Sequence, residues 1–236
     1  MSESLAKFKK EVKTLDKVLT FLIFSIPLFL SISIFISDLF ASISGIILIF
    51  ILIKEKNSNF LNITKKEIKF FLFFYFFILI SLIFSNHKEV AFLPSFFYFR
   101  YFLLSLALFY LLKKYNFMIN ILYISFLGTI FLVIFDSFIQ LIFGQNLLGY
   151  ERIGFKDNHT MTFLTSFFDE EKKLGSYLVR FLPMILALLL IKKNSFLKKF
   201  DFLIFLLVGS IIYLSSERTA LFLYIIITFF YILISE

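Results

Sequence analysis

Apolar runs near 18 to 36, 39 to 53, 68 to 84, 91 to 112, 117 to 143, 174 to 191, 200 to 214 and 219 to 235 leave this chain few ways to fold. Most approach the roughly 20 residues with which a helix crosses a hydrocarbon core about 30 Å thick. In lipid a backbone must satisfy its own N–H and C=O groups, so a chain that is not a barrel crosses as helices. The expectation is an all-α, polytopic integral membrane protein with about eight transmembrane helices. The runs 39 to 53 and 200 to 214 are short, and tilted or re-entrant segments there would alter the count. With 60% hydrophobic residues and a mean hydropathy of +0.94, the chain is too apolar for water. Its 39 Phe and 11 Tyr accompany abundant Ile and Lys, as an AT-rich coding bias would produce. The phenylalanines are therefore assigned no role beyond lipid and core contact.

The formal net charge of +8 does not point to nucleic acid, because the lysines fall in short clusters between apolar runs, as cytoplasmic loops do under the positive-inside rule. With residues 1–17 as a basic cytoplasmic N-terminus, the inner side receives Lys7, Lys9, Lys10, Lys13 and Lys17. It also receives Lys54, Lys56, Lys65, Lys66 and Lys69, then Lys113 and Lys114, then Lys192, Lys193, Lys198 and Lys199. The opposite loops hold Lys88, Arg152, Lys156, Lys172 and Lys173. This orientation places the one long loop, 144–173, outside and makes 18–236 the transmembrane domain. A second apolar run follows the first almost at once, so the first reads as an uncleaved anchor and not as a signal peptide. Without cysteine there is neither a disulfide framework nor a thiolate metal site.

Four ionisable residues fall within or at the edge of spans: Arg100, Asp136, Arg180 and Arg218. At ~1.5 Å per helical residue, Arg100 lies roughly 13 Å from the outer boundary, Asp136 roughly 10 Å and Arg180 roughly 9 Å, with Arg218 near the rim. A shared outer depth suggests a cavity open to the outer face. Charges inside spans are expensive and need partners. Arg100 and Asp136 are expected to neutralise each other across two helices, with Gln140, one turn from Asp136, completing the network. Arg180 and Arg218 have no acid in their own spans. They read as holding an anionic ligand, against the alternatives of snorkelling to the interface or pairing with loop acids. Asp169, Glu170 and Glu171 precede a helix start, where they would serve the helix dipole and a cap; a general base or a magnesium ligand is the sharper alternative. In Ser215-Ser216-Glu217-Arg218-Thr219 a serine cap and an anion site at a helix N-terminus are compatible readings. His87 and His159 are isolated loop residues read as solvated. No Gly-rich phosphate loop, nucleophile elbow or paired-histidine metal motif occurs.

Asp136-Ser-Phe-Ile-Gln140, Gly144-Gln-Asn-Leu-Leu-Gly149, Arg152-Ile-Gly, Ser166-Phe-Phe-Asp-Glu, Leu174-Gly-Ser-Tyr-Leu-Val-Arg180-Phe-Leu-Pro183 and Ser215-Ser-Glu-Arg-Thr-Ala220 follow one another in an order and spacing that resembles the O-antigen ligase and polymerase superfamily of polytopic glycosyltransferases. The likeness covers roughly 94 to 224 and is most specific across 136 to 183. It implies transfer of a glycan from an undecaprenyl-diphosphate carrier to a lipid or glycan acceptor, without metal or other cofactor, on the outer face of the bacterial inner membrane. It also implies that Arg180 and Arg218, which match the family's motif arginines, hold the diphosphate and stabilise it as it leaves. Arg100 matches a looser basic position, and Asp169, Glu170, Ser176 and Tyr177 belong to the implied substrate-binding set. Family members are longer, with a second outer loop whose histidine serves the acceptor. This chain has neither that loop nor a histidine in place, so it is expected to be the donor half of a truncated or split protein, and no general base is assigned. A polymerase would differ only in acceptor. A transporter would place its charges near the midplane on broken helices, and a non-catalytic membrane scaffold is the remaining class.

Overall fold

The computed structural model describes residues 7–8, 10–55, 58–153, 163–169, 171–192 and 195–235. Its helices are α1 Thr14–Ile32, α2 Ile34–Glu55, α3 Ser58–Ile63, α4 Lys65–Ile83, α5 Lys88–Phe96, α6 Phe99–Lys114, α7 Met118–Phe143, α8 Leu174–Lys192, α9 Ser195–Leu214 and α10 Arg218–Ser235, with a 3-10 turn at Ser166–Phe168. Among the described residues no strand forms. Two isolated bridges, Gln145 to Glu151 and Ile153 to Phe163, join extended backbone. The fold is all-α, as the apolar runs require. Polar side chains within the helices fit that setting: Thr20, Ser25, Ser31, Ser37, Ser42 and Ser137 turn their hydroxyls back onto carbonyls three or four residues earlier, at 2.7–2.8 Å.

Four helical segments are long and apolar enough to cross a membrane: Thr14–Ile32, Ile34–Glu55, Lys88–Lys114 and Met118–Phe143. Leu174–Leu188, Leu203–Leu214 and Arg218–Ile234 are shorter apolar helices. The remaining α4 is 19 residues long and opens with Lys65, Lys66, Glu67 and Lys69. Two run boundaries are corrected. The run 39 to 53, expected to be short, lies inside a 22-residue helix, because Ile34, Phe35 and Ile36 continue it beyond Asp38. The run 91 to 112 is broken between α5 and α6 at Phe97 and Tyr98, just after Pro94.

The chain divides into two compact units, Met1–Ile26 with Ile34–Ile121, and Pro27–Ser33 with Leu122–Glu236. In the first, α2 and α6 run parallel and in close contact. Ser37, Ala41, Ser44, Gly45, Leu48 and Ile51 form the buried stripe of α2. A Cβ on Gly45 would come within 2.9 Å of Leu103 Cβ, so a glycine is what lets the two backbones approach. Helices α4 and α5 bury no side chain, and Phe70 is 75% exposed. In the second unit Leu174, Leu178, Leu182 and Ile185 of α8 and Val208, Ile211 and Ile212 of α9 are fully or almost fully buried. Tyr224 of α10 donates to the Phe205 carbonyl at 2.8 Å, and its hydroxyl lies where a Cβ on Gly209 would stand, 2.6 Å away.

Candidate functional site

The starts of α8 and α10 meet in the second unit. Helix α9 ends at Leu214, Ser216 takes a left-handed conformation (φ 56°), and the turn delivers Glu217 to the first turn of α8. One oxygen of its carboxylate accepts from the Gly175 N–H at 2.6 Å. The other accepts from the Ser176 N–H at 2.9 Å and the Ser176 hydroxyl at 2.5 Å. The first N–H groups of a helix have no partner within it, and the dipole favours negative charge there. Glu217 satisfies both needs. The capping expected of Asp169, Glu170 and Glu171 is therefore supplied from another helix. Asp169 is exposed in a tight turn closed by the Glu171 N–H on the Phe168 carbonyl at 2.9 Å, Glu171 pairs with Lys173, and Glu170 lies outside the described residues. The expected serine cap on α10 is likewise absent: Ser215 donates back to the Ile212 carbonyl at 2.8 Å and closes α9.

Arg218 is the first residue of α10, and Arg180 lies four residues after Ser176 on the same face of α8. Both are exposed, and neither makes a hydrogen bond or ion pair among the described residues. Helices α8 and α10 thus start at one end of the unit, each carrying a free guanidinium near that end. The rest of the implied substrate-binding set is placed differently. Ser176 spends its hydroxyl on Glu217. Tyr177 is buried, donates to the Pro27 carbonyl at 2.6 Å and packs its ring against Phe168 and Phe181.

The expected Arg100–Asp136 pair is replaced by two separate arrangements. Arg100 donates to Asp38 at 2.6 Å and to the Tyr101 hydroxyl at 2.9 Å, while Tyr101 also donates to Asp38. The acid nearest along α2 satisfies it because α2 and α6 start at the same end of the first unit. Asp136, fully buried, instead holds the loop: one oxygen accepts from the Leu147 N–H at 2.9 Å and the other from the Ser166 hydroxyl at 2.6 Å and the Asn146 amide at 3.4 Å. Gln140, expected to complete the Arg100–Asp136 network, instead holds the same loop as Asp136 from one turn further along α7. Its carbonyl accepts from the Thr165 and Ser166 N–H groups, both at 2.9 Å, and its amide donates to Thr165 and to the Tyr150 carbonyl. Ser166 (φ 51°) costs about 1 to 3 kcal/mol for a non-glycine residue, and these bonds hold it there. Asp136 and Gln140 are therefore posts for both ends of the loop.

Asp38, Asn146, Ser166 and Glu217 are the functional neighbours that sequence reasoning did not assign. Glu217 was adjacent to a chosen arginine, and its acid at a helix start was the available signal. A further cluster lies at the other end of the first unit. Lys114 pairs with Asp16 at 2.9 Å and Glu55 at 3.1 Å, Lys13 with Glu55 at 2.7 Å, and the Tyr115 hydroxyl donates to Asp16 at 2.8 Å. Burial and that carboxylate push the Tyr115 phenol up. His87 is exposed ahead of α5, and His159 lies outside the described residues. Among the described residues no group of three His, Asp or Glu side chains is placed to hold a metal ion. No family model, curated protein or solved structure matches the chain, so its function is argued from the arrangement of its own side chains.

Proposed function

We propose that the chain binds a polyprenyl-diphosphate-linked glycan through Arg180 and Arg218 and serves its transfer to an acceptor, in the manner of an O-antigen ligase, on the outer face of a bacterial inner membrane. The observation that carries this reading is the pair of exposed guanidiniums, free of partners among the described residues and brought to one end of the unit by the α8–α10 contact. Ligands of α8's first turn are already internal, so an incoming anion is left to the arginines. In the reaction an acceptor hydroxyl bonds to the anomeric carbon as the bond from that carbon to the diphosphate oxygen breaks, and the hydroxyl's proton passes to water or to the departing diphosphate. Negative charge then grows on the leaving diphosphate. Two planar, permanently charged forks beside it stabilise that charge and require little reorganisation.

The test measures undecaprenyl-diphosphate binding to the protein in nanodiscs, with undecaprenol as the uncharged control. Arg180→Ala and Arg218→Ala are each expected to lose a charge-assisted contact of about 1.5 to 3 kcal/mol, roughly ten- to more than a hundredfold in affinity. Lysine at either position is expected to recover only part of this, because a point charge lacks the two-pronged contact. Equal affinity for both lipids, or diphosphate affinity unchanged by both substitutions, would overturn the reading and leave the arginines as interface anchors.

A further inference from the structure

We propose that Glu217 is the positioning residue of this site: by clamping the first turn of α8 it fixes the separation of Arg180 and Arg218, and through it the preference for a diphosphate over a monophosphate. The proposal rests on the donor reading of the two arginines. Four observations lead to it. Glu217 directly precedes Arg218, so the residue that docks on α8 also determines where α10 begins. Its two oxygens take three donors from Gly175 and Ser176, about one turn before Arg180. The contact also depends on a missing side chain: a Cβ on Gly175 would lie 2.7 Å from Ser215 Oγ, 3.1 Å from Ala220 Cβ and 3.2 Å from Glu217 Cβ. Finally, the chain accepts a left-handed serine at 216 to make the turn.

These features have a common physical consequence. Two helices that touch only through apolar side chains in lipid gain little from one register over the next, since the tails outside are as apolar as the contact. A carboxylate shared by two backbone N–H groups and a hydroxyl is different, because sliding α10 along α8 strands a charge and three donors together. The register of Arg218 against Arg180 is thereby set to one value. Two guanidiniums at one fixed separation discriminate between an anion that spans both and one that reaches only one. Glu217 also removes α8's N–H groups from competition for that anion, which leaves recognition to the forks.

The experiment reads the separation and the binding independently. Nitroxide labels at positions 180 and 218, in the protein in nanodiscs, are expected to give one narrow distance distribution that broadens in Glu217→Gln. Glutamine presents an N–H where a donor already points. In unlabelled protein, Glu217→Gln is expected to weaken undecaprenyl-diphosphate binding by roughly tenfold or more and to leave undecaprenyl-monophosphate binding within about twofold, so the preference between them collapses. Ser176→Ala, which removes one donor and keeps the carboxylate, is expected to give a smaller change in the same direction and guards against a Glu217 variant that fails to fold. A distance distribution unchanged in both variants overturns the clamp. So does a broadened distribution with the diphosphate preference intact. Wild-type protein that binds neither lipid ends the donor reading, and the label distances alone then decide whether the clamp exists.

Discussion

Asp136 and Arg100 show how far a buried charge depends on what the backbone brings to it. Replacing Asp136 by leucine would strand the Leu147 N–H and leave the Ser166 hydroxyl only the Val133 carbonyl at 3.4 Å, and a donor left unsatisfied in a buried setting costs about 1 to 3 kcal/mol. Asp136→Leu is therefore expected to lower the thermal midpoint and to open residues 144–153 to protease before the helices unfold. Asp136→Asn, which keeps one acceptor, should lose less. Proteolysis of that loop at the wild-type rate in Asp136→Leu would remove its role as a post. Arg100 is expected to couple to Asp38. Both side chains are about a quarter exposed, 26% and 29%, so each single leucine change should cost about 1 to 3 kcal/mol, between the surface and buried limits. Arg100→Leu with Asp38→Leu should recover part of that loss, whereas adding Asp136→Leu to Arg100→Leu should compound it. A double variant at 38 and 100 no better folded than the worse single would refute the pair. The sequence showed that these charges needed partners. It did not show which acid met Arg100, because depth along a helix says nothing of which helices are adjacent.

At the scale of the element, the apolar runs marked nearly every helix, and the misjudged boundaries have local causes. Asp38 looks like the end of a span when counted by hydropathy. In the structure its charge is met by Arg100 and Tyr101, so α2 continues through it. Glu217, to which the sequence assigned no role, caps a neighbouring helix, a role that exists only once α8 and α10 are packed. The same holds for the lysines. Lys13 and Lys114 read as solvated loop charges, yet Lys114 joins Asp16 on α1 and Glu55 on α2, where Asp16 is 1% exposed. That cluster fastens the start of α1 to the ends of α2 and α6. Lys114→Ala leaves two acids with less compensation and is expected to cost about 3 to 5 kcal/mol, while Lys113→Ala, next to it and outside the cluster, should be nearly neutral. Equal thermal midpoints for the two variants would show that the cluster contributes nothing. The glycines make a matching prediction. Gly45→Ala pushes on Leu103 across the α2–α6 contact and should destabilise by about 1 to 3 kcal/mol, whereas Gly128, with open space around its Cα, should accept alanine without loss.

For the whole molecule, ion pairs and lysines bear from different directions on which ends face which side of the membrane. Within the first unit, Asp16, Glu55 and Lys114 lie at one end and Asp38 and Arg100 at the other, roughly 21 Å away by the ~1.5 Å rise over the fourteen residues from Arg100 to Lys114. Helix α1 therefore runs opposite to α2 and α6 there, as crossing and recrossing a bilayer demands. Within the second unit, the loop held by Asp136 and Gln140 and the starts of α8 and α10 share an end, near which Arg180 and Arg218 lie. The orientation proposed for the chain rests on charge bias in the sequence. Lys13, Lys54, Lys113 and Lys114 fall at the Asp16 end of the first unit, and under the positive-inside rule the proposed orientation has that end in the cytoplasm. The chain has no cysteine, so single cysteines at Ser4, Ser195 and Thr160 can each be probed without background. A membrane-impermeant maleimide applied to intact cells is expected to label Thr160→Cys, and to label Ser4→Cys and Ser195→Cys only after the membrane is opened. Labelling from outside at Ser4 or Ser195 with none at Thr160 would invert the molecule. The arginines would then face the cytoplasm, where a glycan displayed on the outer leaflet does not reach them, and the donor reading would fall with the topology.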